Sequence, residues 1–232
     1  MWFSNRRVTL PILFILIVGL LWLSLQWENN YLLLSFGLLL ISLLLIVIRF
    51  EKRKIAAREM VLLAVLASIA AVGRIPFASI PSVQPTTFVI MMSGMVFGAE
   101  SGFMIGIVAA LASNMILGQG PWTPWQMVGW GMVGISAGFL GKIPFGNRTS
   151  VKIIFGIIWG FLFGWIMNLW SLLAFSQSGT LLDLKTILTF MAGSLMFDFM
   201  HSISNVFFIL LFGDVWLKIL TRFKKKYGLF EG

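Results

Sequence analysis

The chain contains 232 residues, of which 59% are apolar and only 11% are charged, and its net charge is +9. A water-soluble domain of this size cannot hide so much apolar surface, because many residues of any globular protein must face water. The composition therefore excludes a soluble protein and indicates one that is solvated by lipid. Because cysteine is absent, the chain has no disulfide framework, no thiolate metal site and no cysteine nucleophile.

Apolar runs of roughly 17 to 25 residues, the length that crosses a bilayer core, divide the chain into eight predicted spans. The runs do not alternate as the strands of a membrane barrel would. The fourth run is short, so we expect it to be tilted or to end in a loop buried within the protein. The predicted spans cover residues 8–26, 31–49, 58–75, 85–98, 101–117, 124–141, 151–175 and 186–212.

The N-terminal region is predicted to be a retained membrane hairpin. Arg6 and Arg7 before an apolar run resemble the start of a signal peptide, but no small-residue cleavage site follows them. The charged segment 49–59 then separates two leucine-rich runs from a remainder rich in Gly, Ser, Met, Pro and Trp. The predicted domains are 1–54 (the hairpin and a basic cytoplasmic linker), 55–220 (a six-helix membrane domain) and 221–232 (a basic cytoplasmic tail).

The basic residues predict the orientation of the chain in the membrane. If the N-terminus is cytoplasmic, fifteen of the seventeen Lys and Arg residues fall in cytoplasmic segments, and only Arg74 and Lys185 fall outside. Short cytoplasmic loops retain Lys and Arg during insertion, so this bias is the expected one. We therefore predict an all-α integral membrane protein with about eight spans and both termini in the cytoplasm. The same clustering between apolar runs argues against nucleic acid as a partner.

Two of the predicted outside loops have the composition of a binding site. The segments RIPFASIPSVQPTT (74–87) and GQGPWTPWQM (118–127) combine proline and glycine, which restrict or shape the backbone, with indole rings and neutral amides. Such loops suit a planar or amphipathic organic solute captured at the outer face, although tryptophans also form interfacial belts. The loop residues and neighbouring amide predicted to contact a solute are Gln84, Asn114, Gln119, Trp122, Trp125 and Gln126.

Polar residues within the predicted spans need a partner, because an unpaired one costs several kcal/mol in lipid. Asp198, His201 and Asn205 recur at helical spacing on one face of the last span. His201 either contacts a solute or satisfies Asp198 while joining helices. Asn168 and Asn114 are similarly either ligand contacts or helix-bridging amides. Arg74, at the outer end of its span, either snorkels to the interface or faces an anionic group.

Small residues at four-residue spacing predict close helix packing. The clearest ridges are Gly156–Gly160–Gly164 and Gly134–Gly138, and glycines from Gly94 to Gly106 continue the spacing across a probable turn. We expect the partner of each ridge to be another helix of the same chain, with a separate subunit as the alternative. The sequence has one histidine and no Gly-Lys-Ser/Thr phosphate loop, so we expect no metal, no cofactor and no intrinsic ATPase.

Residues 56–215 resemble the S component, the substrate-binding membrane subunit of energy-coupling factor (ECF) vitamin transporters. The resemblance rests on six helices, the small-residue ridge ASIAA (67–71) and the outside loops. The stretch from Gln84 to Gly134, with its motif GQGPWTPWQM, is most similar to cobalamin-type S components. The N-terminal hairpin departs from the six-helix pattern.

The resemblance implies a non-enzymatic subunit of a prokaryotic plasma-membrane importer. Such a subunit binds its vitamin from outside, docks on a shared membrane subunit that carries two ATPases, and topples in the bilayer to deliver the substrate. The implied docking surface consists of Ala64, Ala67, Ser68 and Ala71. Queuosine precursors, pyridoxine and riboflavin remain alternatives to cobalamin. A proton-coupled secondary transporter using Asp198 and His201, or a membrane enzyme acting on lipid, are the competing functions.

Overall fold

The computed structural model describes residues 56–176 and 183–229, together with the isolated positions Gly19, Gly37 and Ile41. The two continuous ranges contain six α-helices and no strand, so the predicted all-α fold is confirmed for this part of the chain. The predicted spans 8–26 and 31–49 lie outside the described residues apart from those three positions. The helices are α1 (Ala57–Val72), α2 (Thr86–Phe97), α3 (Ala99–Leu117), α4 (Thr123–Leu140), α5 (Thr149–Ser176) and α6 (Leu184–Tyr227).

Four of these helices are long and apolar enough to cross a bilayer, namely α1 with the turn after it, α3, α5 and α6. Helix α2 has only 12 residues, or about 18 Å at 1.5 Å per residue, which is shorter than a bilayer core of about 30 Å. It is tolerated because every residue from Thr86 to Phe97 except Val96 is buried among the other helices. The short fourth run therefore ends within the protein, as expected. The remaining bounds lie close to the predicted ones.

Helix α6 differs most from its prediction, since it runs to Tyr227 instead of ending near residue 212. The segment after 212 is basic, but it contains no helix breaker after Gly213 until Gly228, and Lys, Arg and Leu are good helix formers. Gly228 ends the helix in a left-handed conformation (φ 54°), and its N–H bonds to the carbonyl of Lys224. Part of the predicted basic tail is thus a helical extension.

Glycines on α2, α3, α4 and α5 bring helices of this chain into close contact. A Cβ on Gly94 would approach the carbonyl oxygen of Gly134 to 2.6 Å, and Gly134 itself lies against the backbone of Gly102. On the other side of the bundle, Gly160 lies against Ser202 of α6. The ridges on α4 and α5 therefore pack within the bundle, which was the favoured interpretation of their spacing. Gly98, at φ 95°, makes the turn that separates α2 from α3.

The two ends of the bundle have different chemistry. At one end, which joins the C-termini of α1, α3 and α5 to the N-termini of α2 and α4, the contacts are made mainly by neutral polar side chains. At the other end, buried Lys152 forms a salt bridge with Asp214 (2.8 Å), and Lys224 donates a hydrogen bond to the carbonyl of Val96 (2.7 Å). At the N-terminus of α6, on the side of the first end, Asp183 accepts a hydrogen bond from the N–H of Thr186 (2.7 Å), and hydrogen bonding with Thr186 holds the pKa of the Asp183 carboxyl below its usual value.

Candidate functional site

Arg74 lies at the centre of a polar network at the loop-rich end of the bundle. Its Nε donates to Oε1 of Gln84 (2.8 Å), which precedes α2. Its Nη1 donates to Oγ of Ser113 (2.6 Å) and to Oδ1 of Asn114 (2.9 Å), both on α3. The guanidinium carbon also lies 4.8 Å from the centre of the Trp130 ring on α4, within the range of a cation–π interaction. Arg74 therefore turns into the protein and does not snorkel away from it.

Asn114 extends this network to the loop between α3 and α4. Its Nδ2 donates to Oε1 of Gln126 (2.6 Å) and to Oγ1 of Thr123 (2.9 Å). Thr123 in turn donates to Oε1 of Gln119 (2.9 Å) and accepts from the N–H of Gly120 (3.3 Å). Four of the predicted amides are thus joined to Arg74. Gln84 and Asn114 bond to it directly, Gln126 is joined through Asn114, and Gln119 is joined through Thr123 and Asn114.

Thr87 links the network to α6. Its Oγ1 accepts a hydrogen bond from Nε1 of Trp130 (3.0 Å) and lies 2.8 Å from Nε2 of His201. The rings of Trp130 and His201 both pack against Phe163, with centroid distances of 4.8 and 5.2 Å. His201 is therefore connected to Arg74 through Thr87 and Trp130, and its hydrogen-bond partner is Thr87 and not Asp198.

Aromatic rings border the network on the side of the α3–α4 loop. Trp122 packs edge-on against Trp170 of α5, with 5.7 Å between the ring centres. Nε1 of Trp170 is buried and has no hydrogen-bond partner, so an acceptor that reached it would satisfy a buried donor. Trp125 is fully buried and lies inside the bundle, so its ring is not accessible to a solute in this conformation.

Helices α5 and α6 continue past the network. Ser204 accepts from the backbone N–H of Gln84 (2.9 Å) and donates to its carbonyl (3.1 Å), which places the loop before α2 beside the middle of α6. The part of α6 from Leu184 to Ser204 therefore extends about 30 Å beyond that level, at 1.5 Å per residue. The network thus lies where the C-terminal part of α5 and the N-terminal part of α6 begin to extend beyond the other helices. Trp122 and Trp170 lie farther from the centre of the bundle than the network does.

The remaining predicted polar residues join α5 to α6. Asn168 donates to Oγ of Ser194 (2.7 Å), and Asn205 donates to the carbonyl of Gly156 (2.9 Å). Asp198 lies against Gly164 and accepts from Ser194 (3.1 Å). These contacts are those of helix-bridging side chains. Asn168 has no hydrogen bond to the Arg74 network, so the structure separates it from the other predicted site residues.

The predicted docking residues of α1 fall on two faces. Ala67 and Ala71 are buried against the other helices, whereas Ala64 and Ser68 are exposed. Exposed apolar side chains surround the second pair: Val61, Val65, Ile69 and Val72. Of the four predicted docking residues, Ala64 and Ser68 are therefore accessible to another subunit in this conformation, and Ala67 and Ala71 are not.

Several network residues were not among the predicted contacts, namely Ser113, Thr123, Thr87, Trp130 and Ser204. The sequence could have indicated some of them, because they are polar or indole residues one helical turn from a predicted contact, as Trp130 is from Gln126.

At the opposite end of the bundle, a cleft of about 1120 Å³ is lined by Met95, Gly141 and basic residues of α6. Among the residues that the structure describes, no group of three His, Asp or Glu is placed to hold a metal ion.

Comparison with known proteins places the chain in a family. A model of the family described as ECF transporter, substrate-specific component, matches residues 58–214. The chain is similar to the UPF0397 protein of Aliivibrio salmonicida, with 26% identity over 104 residues, which are 43% of this chain and 55% of that protein. It is also similar to the UPF0397 protein of Aliivibrio fischeri strain MJ11, with 24% identity over 103 residues, or 42% and 54% of the two chains. The chain spans about half the length of the curated relatives it matches, and no solved structure matches it significantly.

The family match covers the region that was predicted to resemble an S component, and it includes the Arg74 network. It extends over more than half of the chain, and the matched region contains helices that are long and apolar enough to cross a membrane. The protein is therefore a membrane protein that belongs to the ECF transporter substrate-specific component family, whose members are transporter subunits and not enzymes.

Proposed function

We propose that this chain is the substrate-capturing subunit of an ECF-type importer and that it binds a vitamin or related micronutrient, with cobalamin favoured, at its outer face. The observation that carries the proposal is the convergence of four neutral amides, Arg74 and three indole rings at one end of the bundle. Rigid loops that present stacking faces and neutral hydrogen-bonding groups suit an amide-rich solute. The proposed site lies at the end that positive-inside reasoning assigns to the exterior.

Delivery is proposed to need partners. The family implies a shared membrane coupling subunit and two ATPase subunits, and the sequence contains no phosphate loop of its own. The exposed strip around Ala64 and Ser68 supports α1 as the docking helix, because small side chains let another helix approach closely in lipid. We place this assembly in the prokaryotic plasma membrane.

A proton-coupled secondary transporter is the less favoured alternative. It would need Asp198 and His201 to act as a relay, yet their hydrogen-bond partners are Ser194 and Thr87 respectively. The two side chains thus belong to different local networks. An Asp198→Asn variant is expected to alter folding or binding, and loss of proton-coupled uptake by the isolated chain would instead favour the alternative.

Mass spectrometry of small molecules retained by the detergent-purified protein tests the proposal directly. We expect a vitamin or related compound to copurify with the wild type. Trp122→Ala and Gln126→Ala should each weaken its binding about tenfold, since each removes one contact worth roughly 1–2 kcal/mol, while expression stays near the wild-type level. Normal binding by both variants would place the site elsewhere.

A further inference from the structure

The positive charge of Arg74 has no counter-ion among the residues that the structure describes. Its contacts are the amide oxygens of Gln84 and Asn114, the hydroxyl of Ser113 and the face of Trp130, all of which are neutral. The described acidic residues lie elsewhere: Asp198 is bonded to Ser194, Asp214 to Lys152 and Asp183 to Thr186, while Glu59 and Glu100 lie in the first turns of α1 and α3, at the other end of the bundle.

The guanidinium also has hydrogen-bonding capacity left over. Arginine carries five N–H donors. Nε uses its single N–H on Gln84, and Nη1 uses its two on Ser113 and Asn114. No residue in the described ranges accepts a hydrogen bond from Nη2, and the side chain is only half-buried. Three fixed hydrogen bonds therefore hold the group so that the two N–H donors of Nη2 remain free for a ligand.

A cation inside a membrane protein is costly unless a negative charge offsets the loss of water. Neutral acceptors and one cation–π contact offset part of this cost, but they do not neutralise the charge. Charge-assisted bonds from arginine to a carboxylate or phosphate are among the strongest hydrogen bonds in proteins. A fixed arginine without a protein counter-ion is therefore complementary to an anionic ligand.

We propose that the solute captured by this subunit carries one negatively charged group, a carboxylate or a phosphodiester, which binds Nη2 of Arg74. The inference rests on the proposed function and adds the charge class of the substrate. A single negative charge is specified because Lys185, the other cation expected on this side, is exposed at the start of α6 and lies about 24 Å along the helix from His201. The rest of the ligand should be rich in acceptors, since it meets amides and the unpaired Nε1 of Trp170. Cobalamin carries the required anionic group as one phosphodiester, whose charge its own cobalt–corrin centre balances.

Matched pairs of vitamins test the inference with the purified full-length protein. We would measure binding of nicotinate against nicotinamide, pantothenate against pantothenol, biotin against biotinamide, and cyanocobalamin against dicyanocobinamide, which lacks the phosphodiester together with the ribose and base that it carries. Riboflavin and pyridoxine serve as vitamins without an acidic group. In one pair we expect the member that carries the anionic group to bind at least about tenfold more tightly than the member that lacks it. Arg74→Gln should remove that difference, and Lys185→Gln, which removes the exposed cation, should keep it.

A second variant keeps the test decisive if Arg74→Gln does not fold. Gln84→Glu replaces the neutral amide with a carboxylate and keeps an oxygen that can accept the hydrogen bond from Nε of Arg74. It should raise the thermal midpoint of the ligand-free protein and weaken the anionic ligand at least about tenfold, because Arg74 then has an internal counter-ion. Gln126→Glu adds the same charge at a residue that bonds to Asn114 and not to Arg74, so its thermal midpoint should rise less.

The outcomes separate this inference from the proposed function. Tight binding of a vitamin without an anionic group, or a preference for the anionic group that survives Arg74→Gln, would overturn the inference and leave the capture function standing. Failure of every vitamin to bind would overturn both. Glu28 lies outside the described residues and can be tested as a counter-ion by Glu28→Gln. If that variant were less stable than the wild type, and if adding Gln84→Glu restored its stability, Glu28 would be the counter-ion of Arg74 and the inference would be overturned.

Discussion

Thr87 satisfies two buried side chains with one hydroxyl group. Its Oγ1 accepts from Trp130 and contacts His201, and all three residues are almost completely buried. Because an unsatisfied buried donor or acceptor costs about 1–3 kcal/mol, Thr87→Val should lower the free energy of unfolding by roughly that amount. Unfolding of the purified protein in mixed micelles measures the change.

Ser93→Ala is the matched control for that substitution. Ser93 is also fully buried on α2, but its hydroxyl donates to the carbonyl of Val89 in its own helix (2.7 Å), which is already bonded within the helix. Removing it leaves no separate group unpaired, so the loss should be smaller than for Thr87→Val. Equal losses would show that the Thr87 bonds contribute little beyond burial of the side chain.

The sequence predicted where polar residues lie on their helices, but it did not predict their partners. The spacing of Asp198, His201 and Asn205 correctly placed them on one face, since helical periodicity is a local property. That face meets α5 at Gly164 and Gly156 and meets α2 at Thr87. Which residue lies opposite each one depends on how the helices pack, and local sequence does not contain that information. For the same reason, the sequence did not decide whether the Arg74 side chain points to the membrane interface or into the protein.

Helices α3 and α4 approach so closely that their contact has no room for a side chain. A Cβ on Gly134 would overlap the backbone of Gly102, so Gly134→Ala should force the helices apart and destabilise the protein by about 1–3 kcal/mol. Because these helices carry Asn114 and Gln126, we also expect weaker ligand binding. Thermal unfolding and ligand binding of the purified variant measure the two effects.

Gly193→Ala provides the control at a glycine without a packing role. It lies within α6, and a Cβ there would meet nothing within 4 Å. Alanine is favoured over glycine in a helix by up to about 1 kcal/mol, so this variant should be at least as stable as the wild type. If both variants lost stability equally, the helix contact at Gly134 would not explain the effect.

Element boundaries were predictable where the apolar pattern and the helix end together. The α2–α3 turn at Gly98 and the start of α4 near Pro124 coincide with residues that shape the backbone. The end of α6 was missed, because hydropathy stops at the membrane surface whereas helix propensity continues through Lys224 to Tyr227. Membrane spans and helices are therefore different elements, and only the first can be read from hydropathy.

Assembly with partner subunits should depend on the exposed strip of α1. Ser68→Leu enlarges an exposed side chain on that strip without entering the core, so we expect ligand binding to persist while copurification with the coupling subunit and its ATPases falls. Ala192→Leu, at an exposed position of α6, is the matched control and should leave assembly intact. Normal assembly of the Ser68 variant would exclude this strip as the docking surface.

Capture of an external solute requires the Arg74 network to face the exterior. Cysteine labelling can determine this orientation without background, because the chain contains no cysteine. Gln119, in the α3–α4 loop, and Asn147, between α4 and α5, are both exposed and lie at opposite ends of α4. The positive-inside bias predicts that a membrane-impermeant maleimide labels Gln119→Cys in intact cells and labels Asn147→Cys only after permeabilisation. Because Lys142 and Arg148 flank Asn147, whereas residues 118–126 carry no charge, reversal would require several basic residues to cross the membrane during insertion. Labelling in the reverse order would place the Arg74 network on the cytoplasmic side, where it has no access to an external solute.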